Sequence, residues 1–236
     1  MVVQHNMAAS NANRQLGIST NTLSKSTEKL SSGYRINRAA DDAAGLSISE
    51  KMRSQIRGLN KASSNAQDGI SAIQTAEGAL NEAHSILQRM NELATQSAND
   101  TNTTADRTAV QSEVNALTNE LSRIASTSQF NTQNLLDGTF TGKNLQVGAL
   151  ENQKITISIG TMNAKALGVD SLDVKSFTKA GSAMTLIQKA ISKVSGQRSD
   201  LGALQNRLEH TVNNLDNISE NTQTAESRIR DTDMAS

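Results

Sequence analysis

The stretch INRAADDAAGL, residues 36–46, contains the residue types in this sequence best suited to chemistry. It places two adjacent carboxylates, Asp41 and Asp42, shortly after Arg38 among small alanines. A carboxylate pair can act as acid and base or hold a metal ion, but no histidine, thiol or glycine-rich phosphate loop stands beside this one. An Asp directly before a helix also serves as its N-cap, where the helix dipole favours its charge. We expect Asp41 or Asp42 to cap a helix that begins near Ala43, with Arg38 offsetting their charge, and we predict no catalytic role.

Histidine and methionine are the remaining side chains that could bind a metal or a ligand. His5, His84 and His210 are scattered without the spacing of a metal site, so we interpret them as solvated surface residues. Met90 and Met184 lie near apolar stripes and are interpreted as core residues rather than as a flexible binding groove. The sequence therefore predicts no metal site, no cofactor and no enzyme activity.

Composition limits the class of protein that holds these residues. Of the 236 residues, 36% are hydrophobic and 2% are aromatic, so a core must be built from aliphatic side chains, which suit seams between helices. Proline is absent, and long helices therefore meet no built-in break. The 23 basic and 23 acidic residues balance without a basic run, which argues against a nucleic-acid partner. No stretch approaches the ~20 apolar residues of a membrane span, and the first residues lack the apolar region of a secretory signal.

The hydrophobic pattern predicts a mainly α fold: a long antiparallel helical rod, built like a coiled-coil bundle, with a small β-hairpin element. Helices are expected at about 46–98, 104–127 and 181–232, and the β element at about 130–174. In the first of these helices, apolar residues recur at spacings of three and seven and predict a buried seam. Its members are Ile70, Ile73, Leu80, Leu87 and Met90.

Residues 1–31 are predicted to form a separate, weakly amphipathic arm. Leu16, Leu23 and Leu30 recur every seven residues, with Ser, Thr and Asn between them. A single stripe of this kind cannot hold a lone helix, so we expect the arm to be mobile until a partner covers it. A joint at 32–45 and a rod domain at 46–235 complete the predicted organisation.

Four long motifs resemble bacterial flagellins, in the same order along the chain. They are LSSGYRINRAADDAAGLSIS at 30–49, NAQDGISAIQTAEGALNEAHSILQRMNELATQSAND at 65–100, SEVNALTNELSRIASTSQFNTQNLLDG at 112–138 and SDLGALQNRLEHTVNNLDNISENTQTAESRIRDTDMA at 199–235. The resemblance is to short flagellins of the Gram-positive type, which lack large variable outer domains. In the family, INRAADDAAG belongs to the joint between the inner domain and the rod.

The resemblance implies a structural subunit of the bacterial flagellar filament. Such a protein is secreted through the flagellum's own channel, is extracellular, and contacts other flagellin subunits and flagellar export and assembly factors. The family continues beyond the final motif with a C-terminal helix that pairs with the N-terminal arm, so this chain resembles a flagellin truncated before that helix. Leu16, Leu23 and Leu30 are then expected to serve self-assembly.

The resemblance also implies a receptor site on the rod. In many flagellins the outer face at QRxxELAxQSA is bound by Toll-like receptor 5 of animal hosts, a receptor of innate immunity. The matching residues here are Gln88, Arg89, Glu92, Leu93 and Gln96 on the first rod helix and Glu113 on the second. Arg89 and Leu93 are four apart and are expected to present a guanidinium beside an apolar knob. The alternative is that these positions are only solvated or pack between subunits.

Other classes of function remain open at this point. The leucine stripe of the arm is compatible with a membrane-active helix, although the arm carries few Lys or Arg. A carboxylate-bridged metal enzyme would need Glu and His spacings that the sequence lacks. A hook-filament junction protein would share the fold, and the strong motif at 88–100 favours a flagellin instead.

Overall fold

The protein is described by a computed structural model that covers residues 6–233. Its elements in chain order are α1 (Met7–Ser32), α2 (Ala43–Ser97), α3 (Thr104–Thr127), β1 (Gln129–Phe130), β2 (Gln133–Asn134), β3 (Lys143–Gln146), β4 (Lys154–Ile157), α4 (Ala164–Leu167) and α5 (Phe177–Arg230). The strands form two separate two-stranded antiparallel sheets, β1–β2 and β3–β4. The prediction of a mainly α fold with a small antiparallel β element is confirmed.

The chain divides into two compact units, and α2 and α5 contribute to both. Unit 1 comprises Met1–Asn60 and Asp216–Ser236, and unit 2 comprises Lys61–Leu215. The boundaries of the predicted arm, joint and rod stay predictions.

The start of α2 agrees with the predicted aspartate cap, whereas α5 begins earlier than the sequence suggested. α2 starts at Ala43 because Asp42 caps it, and α5 starts at Phe177 rather than near Gly181. At the start of α5, Ser176 caps the first turn: its hydroxyl accepts a hydrogen bond from the Lys179 N–H, and its carbonyl accepts one from the Ala180 N–H. Gly181 therefore lies inside the helix and does not mark its boundary.

Unit 2 contains one contiguous hydrophobic core, to which α2, α3, α5 and the β segment all contribute. The predicted α2 seam is buried, with Ile73, Leu80, Leu87 and Met90 at most 1% exposed, while Ile70 packs partly buried against it. The β segment adds further buried side chains that have no helical period. They include Leu135, Leu136, Ile157 and Ile159.

The predicted hairpin is β3–β4, with Leu145 opposite Ile155. Ile155 and Ile157 on β4 are buried and Thr156 between them is exposed, as alternation requires. The β1–β2 pair was not predicted. Its turn contains Asn131 and Thr132, both with positive φ.

Unit 1 is held together mainly by polar contacts near the ends of α2 and α5. The backbone around Tyr34 pairs with the segment after α5, where the Arg35 N–H donates to the Arg230 carbonyl over 2.7 Å. Two ion pairs join α2 to α5, Arg53 with Glu226 and Arg230 with Glu50, each over 3.1 Å. α1 has no buried residue.

Candidate functional site

The two carboxylates of the INRAADDAAGL stretch act as backbone caps. Asp42 Oδ1 accepts a hydrogen bond from the Gly45 N–H over 2.9 Å and so caps α2. Asp41 Oδ2 accepts from the N–H groups of Arg38 and Asn37, over 3.0 and 3.2 Å, and closes the preceding turn. These backbone donors lower the pKa of Asp41 below its ordinary value. The pair therefore has a structural role in the segment that joins α1 to α2.

Arg38 does not offset the charge of this pair, which corrects the sequence interpretation. Its Nε donates to Oε1 of Glu28, near the end of α1, over 3.0 Å. Because backbone N–H groups already stabilise Asp41, the guanidinium is available to tie the joint back to α1.

The predicted receptor residues lie on α2 and α3, which are joined by the short connection at 98–103. A capping box starts α3: the Thr103 hydroxyl accepts from the Asp106 N–H, and the Asp106 carboxylate accepts from the Thr103 N–H. Arg107 in the first turn of α3 reaches back to the carbonyl of Ser97, the last residue of α2, over 3.0 Å. The connection is thus held by the side chains of its last residue and of the first turn of α3.

Arg89 links α2 to α3 at the surface. Its Nε and Nη2 both donate to Oε1 of Glu113, over 3.1 and 3.0 Å, and its Nη1 donates to Oε2 of Glu92 over 3.1 Å. The bonds to the two carboxylates, Glu113 first, raise the pKa of Arg89. The side chains of Arg89, Glu92 and Glu113 are 51%, 66% and 46% exposed, so the cluster is accessible to a partner.

The remaining predicted residues divide into exposed and buried positions. Gln88 and Gln96 are exposed, and the Gln88 amide bonds a ring nitrogen of His84 over 3.0 Å. Leu93 is only 2% exposed and belongs to the core of unit 2. The expected apolar knob beside Arg89 is therefore not at the surface, because Leu93 continues the buried seam of α2. We call the exposed set the recognition face; its members are Gln88, Arg89, Glu92, Gln96 and Glu113.

The methionines and histidines considered as metal or ligand residues differ in their burial. Met90 is fully buried and Met184 packs partly buried against the core, as predicted. His84 is half-buried rather than solvated, whereas His210 is exposed. His5 lies outside the described residues. Within residues 6–233 no group of three or more acidic, histidine or cysteine side chains could hold a metal ion.

The leucine stripe of α1 is exposed along its whole length. Leu16, Leu23 and Leu30 are 68%, 66% and 56% exposed. Gly33 ends the helix in the left-handed conformation, with φ of 72°. No helix in the described part of the chain combines the length and apolarity needed to cross a membrane.

Sequence reasoning missed the side chains that hold this arrangement in place. Gln111 on α3 and Gln197 on α5 bind backbone groups of distant segments, and Arg107 binds the end of α2. None of the three has a local sequence signal, and Arg107 even lies in the first turn of α3, where the helix dipole favours anions rather than cations.

Comparisons with known proteins place this geometry in a family. Residues 3–141 match the bacterial flagellin N-terminal helical region, and residues 184–236 match the bacterial flagellin C-terminal helical region. The whole chain is 56% identical to a flagellin of Halalkalibacterium halodurans, covering 87% of that protein, and 50% identical to a flagellar filament 31.3 kDa core protein of Treponema maltophilum, covering 88%. The crystal structure of Bacillus cereus flagellin matches 64% of this chain and 88% of its own, with 32% identity and a TM-score of 0.56. The chain therefore belongs to the bacterial flagellin family, which is a family of structural proteins and not of enzymes.

Proposed function

We propose that this chain, a structural flagellar filament protein, also presents the recognition face to Toll-like receptor 5 of animal hosts. The observation that carries the proposal is the exposed ion cluster in which Arg89 joins Glu113 across two helices. The helices beneath it are fixed by buried side chains such as Leu93, Met90 and Val114. A charged cluster on a rigid support loses little side-chain freedom on binding, which suits a protein-protein hot spot.

Arg89→Ala tests the receptor proposal. We expect about thirtyfold weaker binding to the receptor ectodomain by surface plasmon resonance, because a charge-assisted contact is lost and both carboxylates lose their cation. Arg123→Ala is the matched control, since among residues 6–233 the ion-pair partner of Arg123 is Glu120 on its own helix, over 2.5 Å. Circular dichroism should match the unsubstituted chain for both variants. Unchanged affinity of an Arg89→Ala, Glu113→Ala double variant would contradict the site.

We further propose that the α1 stripe mediates self-assembly, with other copies of the chain in the filament covering it. Its three leucines are each more than half exposed, and leaving that much apolar surface in water is unfavourable. In bacteria that express the chain as their flagellin, Leu16→Gln combined with Leu23→Gln should abolish filaments in electron micrographs. Ser24→Gln, at an exposed polar position next to the stripe, should leave them intact. Normal filaments from the leucine variant would contradict a role for the stripe.

Secretion through the flagellum's own channel, with export and assembly factors as partners, belongs to the same proposal. The sequence has no cysteine and no proline, so no disulfide or slow prolyl isomerisation obstructs passage of an unfolded chain. Export of the chain should stop in cells that lack the flagellar export apparatus and continue when the general secretory pathway is blocked.

A further inference from the structure

We infer that Arg107 is a positioning residue for the recognition face, acting through the connection between α2 and α3; the inference rests on the receptor function proposed above. Arg107 lies in the first turn of α3 and does not belong to the face. It makes one hydrogen bond to the last residue of α2 and two to the connection that follows.

These bonds make Arg107 a bridge to one end of α2. Nε donates to the carbonyl of Ser97 over 3.0 Å, while Nη2 donates to the carbonyl of Asn99 over 3.2 Å and to Oδ1 of Asp100 over 3.0 Å. The Ser97 carbonyl belongs to the last residue of α2, where a helix leaves acceptors unpaired and favours a cation, whereas Asn99 and Asp100 lie in the connection. The side chain is 16% exposed, so water screens these contacts less than those of a surface pair.

The Arg107 bridge and the Arg89–Glu113 pair connect the same two helices. At a rise of about 1.5 Å per residue, going back along α2 from Ser97 to Arg89 covers about 12 Å, and going forward along α3 from Arg107 to Glu113 covers about 9 Å. Both pairs are therefore contacts of a single antiparallel register. A shift of α3 along α2 at the bridge would carry over to the distance between Arg89 and Glu113.

The apolar contacts between these helices restrain such a shift less strictly. Val110 and Val114 pack into the core and hold α3 against α2, but the hydrophobic effect behind this packing has no directional preference. The three charge-assisted hydrogen bonds of Arg107, to two backbone carbonyls and to the exposed Asp100 carboxylate, are directional. The bridge thus sets the axial position of the first turn of α3, and with it the spacing of the carboxylates around Arg89.

Two readouts test this role in the full chain. The sequence has no cysteine, so Ser85→Cys and Ala116→Cys, at exposed positions of α2 and α3, allow spin labels to report the distance between the helices. Arg107→Gln removes the cation, and Arg107→Lys keeps the charge but not the planar group that reaches three acceptors. Arg123→Gln is the control, because it removes an equivalent ion pair confined to α3. The second readout is affinity for the receptor ectodomain.

We expect Arg107→Gln to broaden the distance distribution and to weaken receptor binding about tenfold, with Arg107→Lys intermediate and Arg123→Gln unchanged. If Arg107→Gln does not fold, the lysine variant decides the matter on the same two readouts. A distribution that stays narrow in the folded Arg107 variants would overturn the inference, as would unchanged affinity despite a broadened distribution. If the unsubstituted chain does not bind the receptor, the proposed function fails, while the distance distributions still decide whether Arg107 positions the helices.

Discussion

At the residue scale, two glutamines hold extended segments of unit 2 against its helices in the same way. Gln111 accepts from the Val174 N–H over 2.7 Å and donates to the Leu172 carbonyl over 2.8 Å. Gln197 accepts from the Gly160 N–H over 3.2 Å and donates toward the Ser158 carbonyl over 3.4 Å. One amide side chain thus pairs with the carbonyl of one residue and the N–H two residues later. Each replaces the neighbouring strand that an extended segment would otherwise require.

Gln111→Ala should lower the free energy of unfolding of unit 2 by about 3 kcal/mol, because it leaves a buried N–H and a buried carbonyl unpaired. Gln111 is 8% exposed and its bonds are short, whereas Gln197 is half-buried with longer bonds. Gln197→Ala should therefore lower the free energy of unfolding by clearly less than Gln111→Ala does. Urea unfolding monitored by circular dichroism measures both changes. An equal loss of unfolding free energy in the two variants would show that burial of the amide does not determine its contribution to stability.

Asp41 predicts a local dependence on pH in the joint. The backbone N–H groups of Arg38 and Asn37 lower its pKa from the ordinary 3.8, so the folded joint binds this proton less readily than the unfolded chain does. Its contribution to stability is therefore present above the ordinary pKa and is lost as pH falls through the lowered value. Amide chemical shifts of Asn37 and Arg38 should move in that acidic range. They should not do so in Asp41→Asn, and an identical response there would assign the transition to another group.

At the element scale, the β1–β2 turn contains the least favourable backbone conformation in the described part of the chain. Asn131 and Thr132 have φ of 46° and 62°, the pattern of a tight hairpin turn with two left-handed residues. Asn tolerates this region, but a β-branched threonine does so at a cost, partly offset by the bond from its hydroxyl to the Asn131 carbonyl.

Thr132→Gly should stabilise unit 2 by about 0.5–1 kcal/mol, since relief of the left-handed strain exceeds the added freedom of the unfolded chain. Thr141→Gly is the control. Thr141 is exposed and has no positive φ, so glycine there should be neutral or destabilising. Thermal unfolding followed by circular dichroism compares the two, and a lower melting temperature for Thr132→Gly would contradict the strain argument.

The helices could be predicted from the sequence because the apolar residues on the buried face of a helix recur at a regular, local spacing. Ile73, Leu80 and Leu87 are buried where the seven-residue spacing placed them. The β segment could not be predicted in the same detail, because partners such as Gln111 and Val174 are distant in sequence and have no shared pattern. The prediction that Leu93 is exposed beside Arg89 was wrong for a related reason. A spacing of four places two residues on the same side of a helix, but it does not say how deeply each side chain is buried.

At the scale of the whole chain, the two units differ in what stabilises them. Every member of the contiguous hydrophobic core belongs to unit 2. Unit 1 has few buried apolar side chains, among them Ile36 and Leu59, and depends on ion pairs and on backbone bonds near the end of α5. Unfolding with more than one transition follows from this difference, and a single midpoint would not describe the chain.

Hydrogen exchange should resolve this difference along the chain. Amides of α1 should exchange at least about a hundredfold faster than those of α2 in unit 2, because α1 has no buried residue and most helical stability in proteins comes from tertiary packing. The part of α2 in unit 1 should be intermediate, since Leu59 and the Arg53–Glu226 pair give it some tertiary support. Mass spectrometry of peptides from the monomeric chain measures the gradient. Strong protection of α1 in the monomer would mean that its leucine stripe is already covered without other subunits, and the self-assembly role of Leu16, Leu23 and Leu30 would then be wrong.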